Sequence, residues 1–142
     1  IFVHVMGMFL PSFFTGHLIA RFGIFNMMIA GIVLLVAGVG VALMGVTEWH
    51  FRGALSLNGV GWNFLFVGAT TLLTTTYRQA ERGKAQAFND FMVFGVTTVS
   101  SLMASVVLEL QGWASLNYVA LVLVLIAFIV IVAFRLRHPS RA

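Results

Sequence analysis

The sequence predicts an all-α, polytopic membrane protein whose chain crosses a bilayer five times. Composition is the first observation behind this. The chain is 61% hydrophobic and 8% charged, with a mean hydropathy of +1.04, whereas soluble domains carry about a quarter charged residues. A water-soluble fold of 142 residues has no interior large enough to hide that much apolar surface, so the solvent must be lipid. The second observation is spacing. The charged residues leave five uncharged stretches, 1–20, 22–47, 53–77, 91–108 and 110–134, and a helix needs about 20 apolar residues to cross the hydrocarbon core. The third is the sign of the punctuation. Of eight basic residues, Arg21, Arg78, Arg82, Lys84, Arg135, Arg137 and Arg141 fall in alternate gaps or at the C-terminal end, and Arg52 lies alone on the other side. Lys and Arg are retained on the cytoplasmic face, so the C-terminus is expected in the cytoplasm.

Helix one is expected over 1–20, kinked where Pro11 removes a backbone hydrogen bond and crowds the carbonyl of Gly7. Arg21 and Gly23 mark the following turn. Helix two is expected over 24–46, with Gly31, Gly38 and Gly45 recurring every seven residues on one face, a spacing that permits close helix packing. Residues 47–52 read as an outside loop with Trp49 and Phe51 at headgroup level. Helix three, over 54–76, is the most polar span, with Ser56, Asn58, Asn63, Thr70, Thr71, Thr74, Thr75 and Thr76. The basic run 77–84 reads as a cytoplasmic loop. Helix four is expected over 85–109, a tight turn at Gln111-Gly112-Trp113, and helix five over 114–134. From Tyr118 to Phe134 every residue after the tyrosine is Val, Leu, Ile, Phe or Ala. The tail 135–142 closes the chain.

Several function classes are excluded. An isoelectric point near 10.8 invites a nucleic-acid reading, but the basic residues form no continuous stripe with interleaved aromatics. There is no cysteine, hence no disulfide or thiolate metal site. No H-E-x-x-H, G-x-S-x-G, P-loop or acidic metal cluster appears, so no enzyme, metal or cofactor is expected. The loops are too short to hold an aqueous domain. The chain begins at Ile1 and enters an apolar segment with no basic flank or cleavage site. With the C-terminus inside and five crossings, Ile1 would lie outside, so a fragment with further helices upstream is expected.

Two motifs carry a family resemblance. Gly16-His17-Leu18-Ile19-Ala20-Arg21-Phe22-Gly23 resembles the G-x-L-x-D-R-x-G loop of the major facilitator superfamily. Gly16, Leu18, Arg21 and Gly23 match, and Ala20 stands where the family has Asp. Glu81-Arg82-Gly83-Lys84-Ala85-Gln86 resembles the E-R-x-[KR]-A-Q run that opens helix 11 in many bacterial members. The resemblance implies the C-terminal portion of a bacterial permease-like transporter, helices 8–12, in the bacterial inner membrane. It implies a Gly turn and a gating Arg at 16–23, helices two and five facing lipid, and helix three lining the cavity. The expected partners are the lipid bilayer, the N-terminal helical bundle of the same protein and a small-molecule solute.

Intramembrane polar residues are the candidates for chemistry. His4 is either a path residue or an interfacial one, and His17 reads as a solvated loop residue. Asn58 and Asn63 are five apart, hence about 140° apart around the helix, and form no tight pair. Asn63 meets either solute or a neighbouring helix. Thr70 either lines the path or bonds back to its own helix. Asp90 either couples a proton gradient to transport, caps the start of helix four, or neutralises Arg82 or Arg21. The leading reading is secondary active transport by alternating access, ion-coupled, with the fragment inactive alone. The alternative is a non-transporting membrane scaffold or assembly subunit.

Overall fold

The computed structural model describes residues 2–137. Five α-helices follow one another: α1 (Phe2–Phe9), α2 (Ser12–Phe22), α3 (Ile24–Met44), α4 (Glu48–Thr74) and α5 (Arg82–Arg137), with one 3-10 turn at Gln79–Glu81. The all-helical reading therefore holds among the described residues. The expected helix one is two helices bent by 43°. Leu10 N–H closes α1 on the Met6 carbonyl, and Phe14 and Thr15 open α2 on the Pro11 carbonyl, as a proline inside a helix requires. A single residue, Gly23, separates α2 from α3. Its φ of 86° is open to glycine and strained for side-chain-bearing residues, and its N–H bonds back to Ile19. α3 has 21 residues, about 31 Å at 1.5 Å per residue, a bilayer's thickness.

The expected ends shift by a few residues. The outside loop 47–52 is largely the first turn of α4, which starts at Glu48 after the extended Thr47. Helices four and five together form α5, broken only at Gly112, where φ is 81°. Hydropathy marks where lipid begins, whereas a helix continues through the headgroup zone until its backbone bonding is interrupted. By length and apolarity α3 and the segment Gln79–Arg137 qualify as membrane-crossing, and the bent α1–α2 pair qualifies as one more. α4 falls short because Asn58, Asn63, its glycines and its threonines dilute it.

α3 runs antiparallel to α4. Gly31 lies against Gly61, Gly38 against Ala54, and Met28 against Gly68, so Gly31 and Gly38 mark the face that approaches a neighbour, whereas Gly45, expected on that face, lies past the end of α3 in extended backbone beside the His50 ring. Phe25, Met28 and Ile32 of α3 and Ile131 of α5 form the buried core, and the Phe25 and Phe134 rings lie 6.1 Å apart. α3, expected to face lipid, is instead the helix with the most buried residues, wedged between α4 and the 113–137 limb of α5. In a lipid solvent a uniformly apolar helix is equally at home inside and outside, so apolarity did not assign its place. The 82–111 limb of α5 is largely exposed.

The two ends of the bundle are fastened differently. At one, Arg135 donates to Asn26 Oδ1 (2.9 Å), and Asn26 Nδ2 donates to the Phe22 carbonyl (2.8 Å). At the other, Trp113 Nε1 donates to the Ala42 carbonyl (2.9 Å) and its ring sits 4.9 Å from that of Phe51. Arg21, Arg135 and Arg137 thus share the end at Gly23. The Arg52–Glu48 ion pair (2.6 Å) occupies the opposite end, where its exposure makes its contribution small.

Candidate functional site

α4 organises the polar groups of the bundle, and its two faces differ. One is sealed against the bent pair. Asn63 is 1% exposed. Its Nδ2 donates to the Met8 carbonyl (2.7 Å) and to Ser12 Oγ (2.6 Å), and its Oδ1 accepts from Thr15 Oγ1 (2.6 Å). Thr15 Oγ1 also lies 2.8 Å from the Pro11 carbonyl. A hydroxyl carries one proton, so Thr15 shares it between the two acceptors. Met8 precedes the Pro11 break and Ser12 and Thr15 follow it. Asn63 therefore bridges the break from another helix, supplying donors where Pro11 leaves helical carbonyls without their usual partners.

The same face carries a close helix crossing. A Cβ on Gly59 would fall 2.5 Å from the His4 carbonyl, and one on Gly7 would fall 3.2 Å from the Ser56 carbonyl. His4 Nδ1 lies 2.9 Å from the Leu55 carbonyl. A carbonyl only accepts, so this nitrogen bears the proton. Asn63 and His4 were candidates for a solute path. Both instead bond a neighbouring helix, the second of the two readings open for Asn63.

Asn58 is turned toward α3, its Oδ1 packed against Gly38, away from Asn63. Thr70 Oγ1 donates back to the Phe66 carbonyl (2.7 Å). Asp90 is not a cap. α5 starts at Arg82, and Asp90 lies eight residues further on, exposed, with Asn89 Nδ2 3.4 Å from its Oδ1. Nor does it neutralise Arg82 or Arg21: among the described residues Arg52–Glu48 is the only ion pair. In the 16–23 motif, Gly16 and Leu18 lie inside α2 and only Gly23 turns the chain. Arg21 reaches no other helix end; its guanidinium lies 5.5 Å from the ring of its neighbour Phe22.

The other face of α4 is open. Trp62 and Phe66, one turn apart, stack with ring centroids 4.6 Å apart and planes 10° from parallel. They form one wall of a cleft of about 440 Å3, with Leu65 and Ala69 beside them and Met92, Val93, Val96 and Thr97 of α5 opposite. Such a volume lies within the range of small-molecule sites, about 300–1,000 Å3. Sequence reasoning passed over Trp62, Ser12, Thr15 and Asn26. Two signals were present: polar residues within a turn of an intramembrane proline, and a tryptophan at the middle of a span rather than at its end.

A model of the Major Facilitator Superfamily matches residues 1–142. This chain belongs to that superfamily. It is a multi-pass membrane chain from a family of transporters, not of enzymes. Over 126 residues it is 48% identical to the riboflavin transporter RfnT of Brucella anthropi, covering 85% of this chain and 32% of that protein. Two uncharacterized MFS-type transporters of Bacillus subtilis are also similar. YdeG is 32% identical over 131 residues (91% of this chain, 30% of YdeG), and YddS is 30% identical over 142 residues (99% and 33%). The chain thus spans about a third of the length of the curated relatives it matches. No solved structure gives a significant match.

Proposed function

We propose that this chain supplies helices 8–12 of a secondary transporter that carries riboflavin or a closely related flat heteroaromatic solute. The observation that carries the reading is the 48% identity to a riboflavin transporter across 85% of the chain. Five crossings follow if α1–α2, α3, α4 and the two limbs of α5 each span once. In this reading the alternating sides put Arg21, the Arg78–Lys84 run and Arg135–Arg137 on the cytoplasmic face of the bacterial inner membrane, in keeping with the positive-inside rule, with the C-terminus in the cytoplasm. Alternating access arises as this bundle rocks against an N-terminal bundle around a midplane site. In this reading the open face of α4 lines the path and the Asn63 face holds the bundle together. In this reading Asp90, an exposed carboxylate on α5, couples an ion gradient to the cycle.

The test is growth of a bacterial riboflavin auxotroph on micromolar riboflavin, with and without the whole transporter containing this chain. Rescue supports the cargo, and short-term riboflavin uptake by washed cells that a protonophore abolishes supports proton coupling. Uptake that survives the protonophore removes proton coupling alone, and no rescue removes the cargo. The scaffold alternative predicts uniform protection of α4 from aqueous thiol reagents, whereas a path predicts a labelled stripe.

A further inference from the structure

We propose that Trp62, backed by Phe66, is the stacking platform for the flat ring system of the cargo. The inference rests on the transport reading above and adds the site. Its starting point is an anomaly of depth. Trp62 is the fifteenth of the 27 residues of α4, so it lies about 21 Å from the start of the helix and about 18 Å from its end. Tryptophan in membranes concentrates at the two interfaces, where its N–H meets water or headgroups. Trp49 and Trp113 obey that rule: Trp49 stands at the start of α4, and Trp113 stands at the Gly112 turn and spends its N–H on Ala42. Trp62 does neither. Among the described residues its indole N–H meets no protein acceptor, and the residue is 36% exposed.

On a water-lined path the exposed indole N–H donates to water, and a polar heteroaromatic replaces that water. Its ring face stacks on the indole while a ring carbonyl or sugar-like hydroxyl beside it accepts the N–H. Phe66 holds the indole plane nearly parallel to its own, which removes the freedom a lone tryptophan would lose on binding. The opposite wall suits the same guest. Met92, Val93 and Val96 are apolar and Met92 is polarizable, while the Thr97 hydroxyl, now bonded to Val93 (2.7 Å), is the nearest exchangeable polar group. The depth agrees with the midplane position expected of a carrier's site.

The experiment is a riboflavin titration of the whole transporter in nanodiscs, read by quenching of flavin fluorescence. Lumichrome, which keeps the tricyclic ring without the ribityl chain, and ribitol, which keeps only the chain, serve as competitors. Trp62→Leu should weaken riboflavin binding about five- to 150-fold, the span of aromatic stacking on a base. Trp62→Phe should retain more affinity than Trp62→Leu, and lumichrome should compete where ribitol does not. Met92→Trp, on an exposed wall where folding is undisturbed, should block the cleft and abolish binding. Trp49→Leu should bind as wild type. Wild-type binding with unchanged affinity in both Trp62→Leu and Met92→Trp would overturn the platform and leave the cargo intact. If the wild type binds neither riboflavin nor lumichrome, platform and cargo fall together.

Discussion

Replacing Asn63 by Leu should destabilise the bundle without emptying the cleft. Leucine keeps the branched four-heavy-atom skeleton of asparagine and is larger than it, so the change removes hydrogen bonds and leaves no cavity. Three are lost: to Met8, Ser12 and Thr15. Interhelical hydrogen bonds in membranes average about 0.6 kcal/mol, so three give about 2 kcal/mol. The Met8 carbonyl beside the Pro11 break is then left facing leucine in a lipid-like surrounding, and an orphaned buried acceptor costs about 1–3 kcal/mol more. The expected loss is therefore roughly 3–5 kcal/mol, read as equilibrium unfolding of the whole transporter in mixed micelles. A double-mutant cycle with Thr15→Val isolates one bond. Its coupling should lie near the low end of about 0.5–2 kcal/mol, because Thr15 already divides its proton with Pro11. Riboflavin affinity of the folded Asn63→Leu protein should stay within about threefold of wild type, since one residue's step turns Asn63 about 100° from Trp62. A loss under about 0.5 kcal/mol together with zero coupling would refute the reasoning and leave packing alone to hold the bend.

Four further outcomes are expected. Gly61→Ala sets a Cβ 2.8 Å from the Gly31 carbonyl, where only movement of α3 away from α4 relieves it, so unfolding free energy should fall by about 1–3 kcal/mol. Gly16→Ala, with nothing within 4 Å, should raise it by about 0.5–1 kcal/mol. Gly112→Ala forces a Cβ into a φ of 81° and should cost about 1–2 kcal/mol, visible as a lowered melting temperature. Single cysteines on α4 should react with a membrane-impermeant maleimide at Trp62, Phe66 and Ala69 and stay protected at Ala54 and Asn63, both buried; uniform protection of all five positions would favour the scaffold.

What the sequence disclosed and what it hid follow from range. Local chemistry was readable. Pro11 broke its helix, Gly23 and Gly112 turned the chain, and Gly31 and Gly38 met a neighbour, because small residues and helix breakers act through the backbone nearest them. Asn63 was visible as a buried amide, but its partners lie 48 to 55 residues away and no pattern near it names them. The central place of α3 was misread because lipid removes the contrast between an apolar core and a polar surface. Asp90 was read as a possible cap because hydropathy placed the start of its helix at 85, while the backbone winds from Arg82. Trp62 was overlooked because a tryptophan adds little to a hydropathy sum; its meaning comes from its depth in α4 and from the cleft it lines.

The bridged break at Pro11 also bears on descent. Pro11, Ser12 and Thr15 lie in one segment and Asn63 in another, yet the bend makes sense only with the amide, and the buried amide only with the bend. A lineage that regains a straight helix by losing Pro11 has no use for Asn63, and one that loses Asn63 first carries an exposed fault in lipid. These positions should therefore be inherited as a set, changing together or not at all, while the neighbouring cleft residues are free to drift with the cargo.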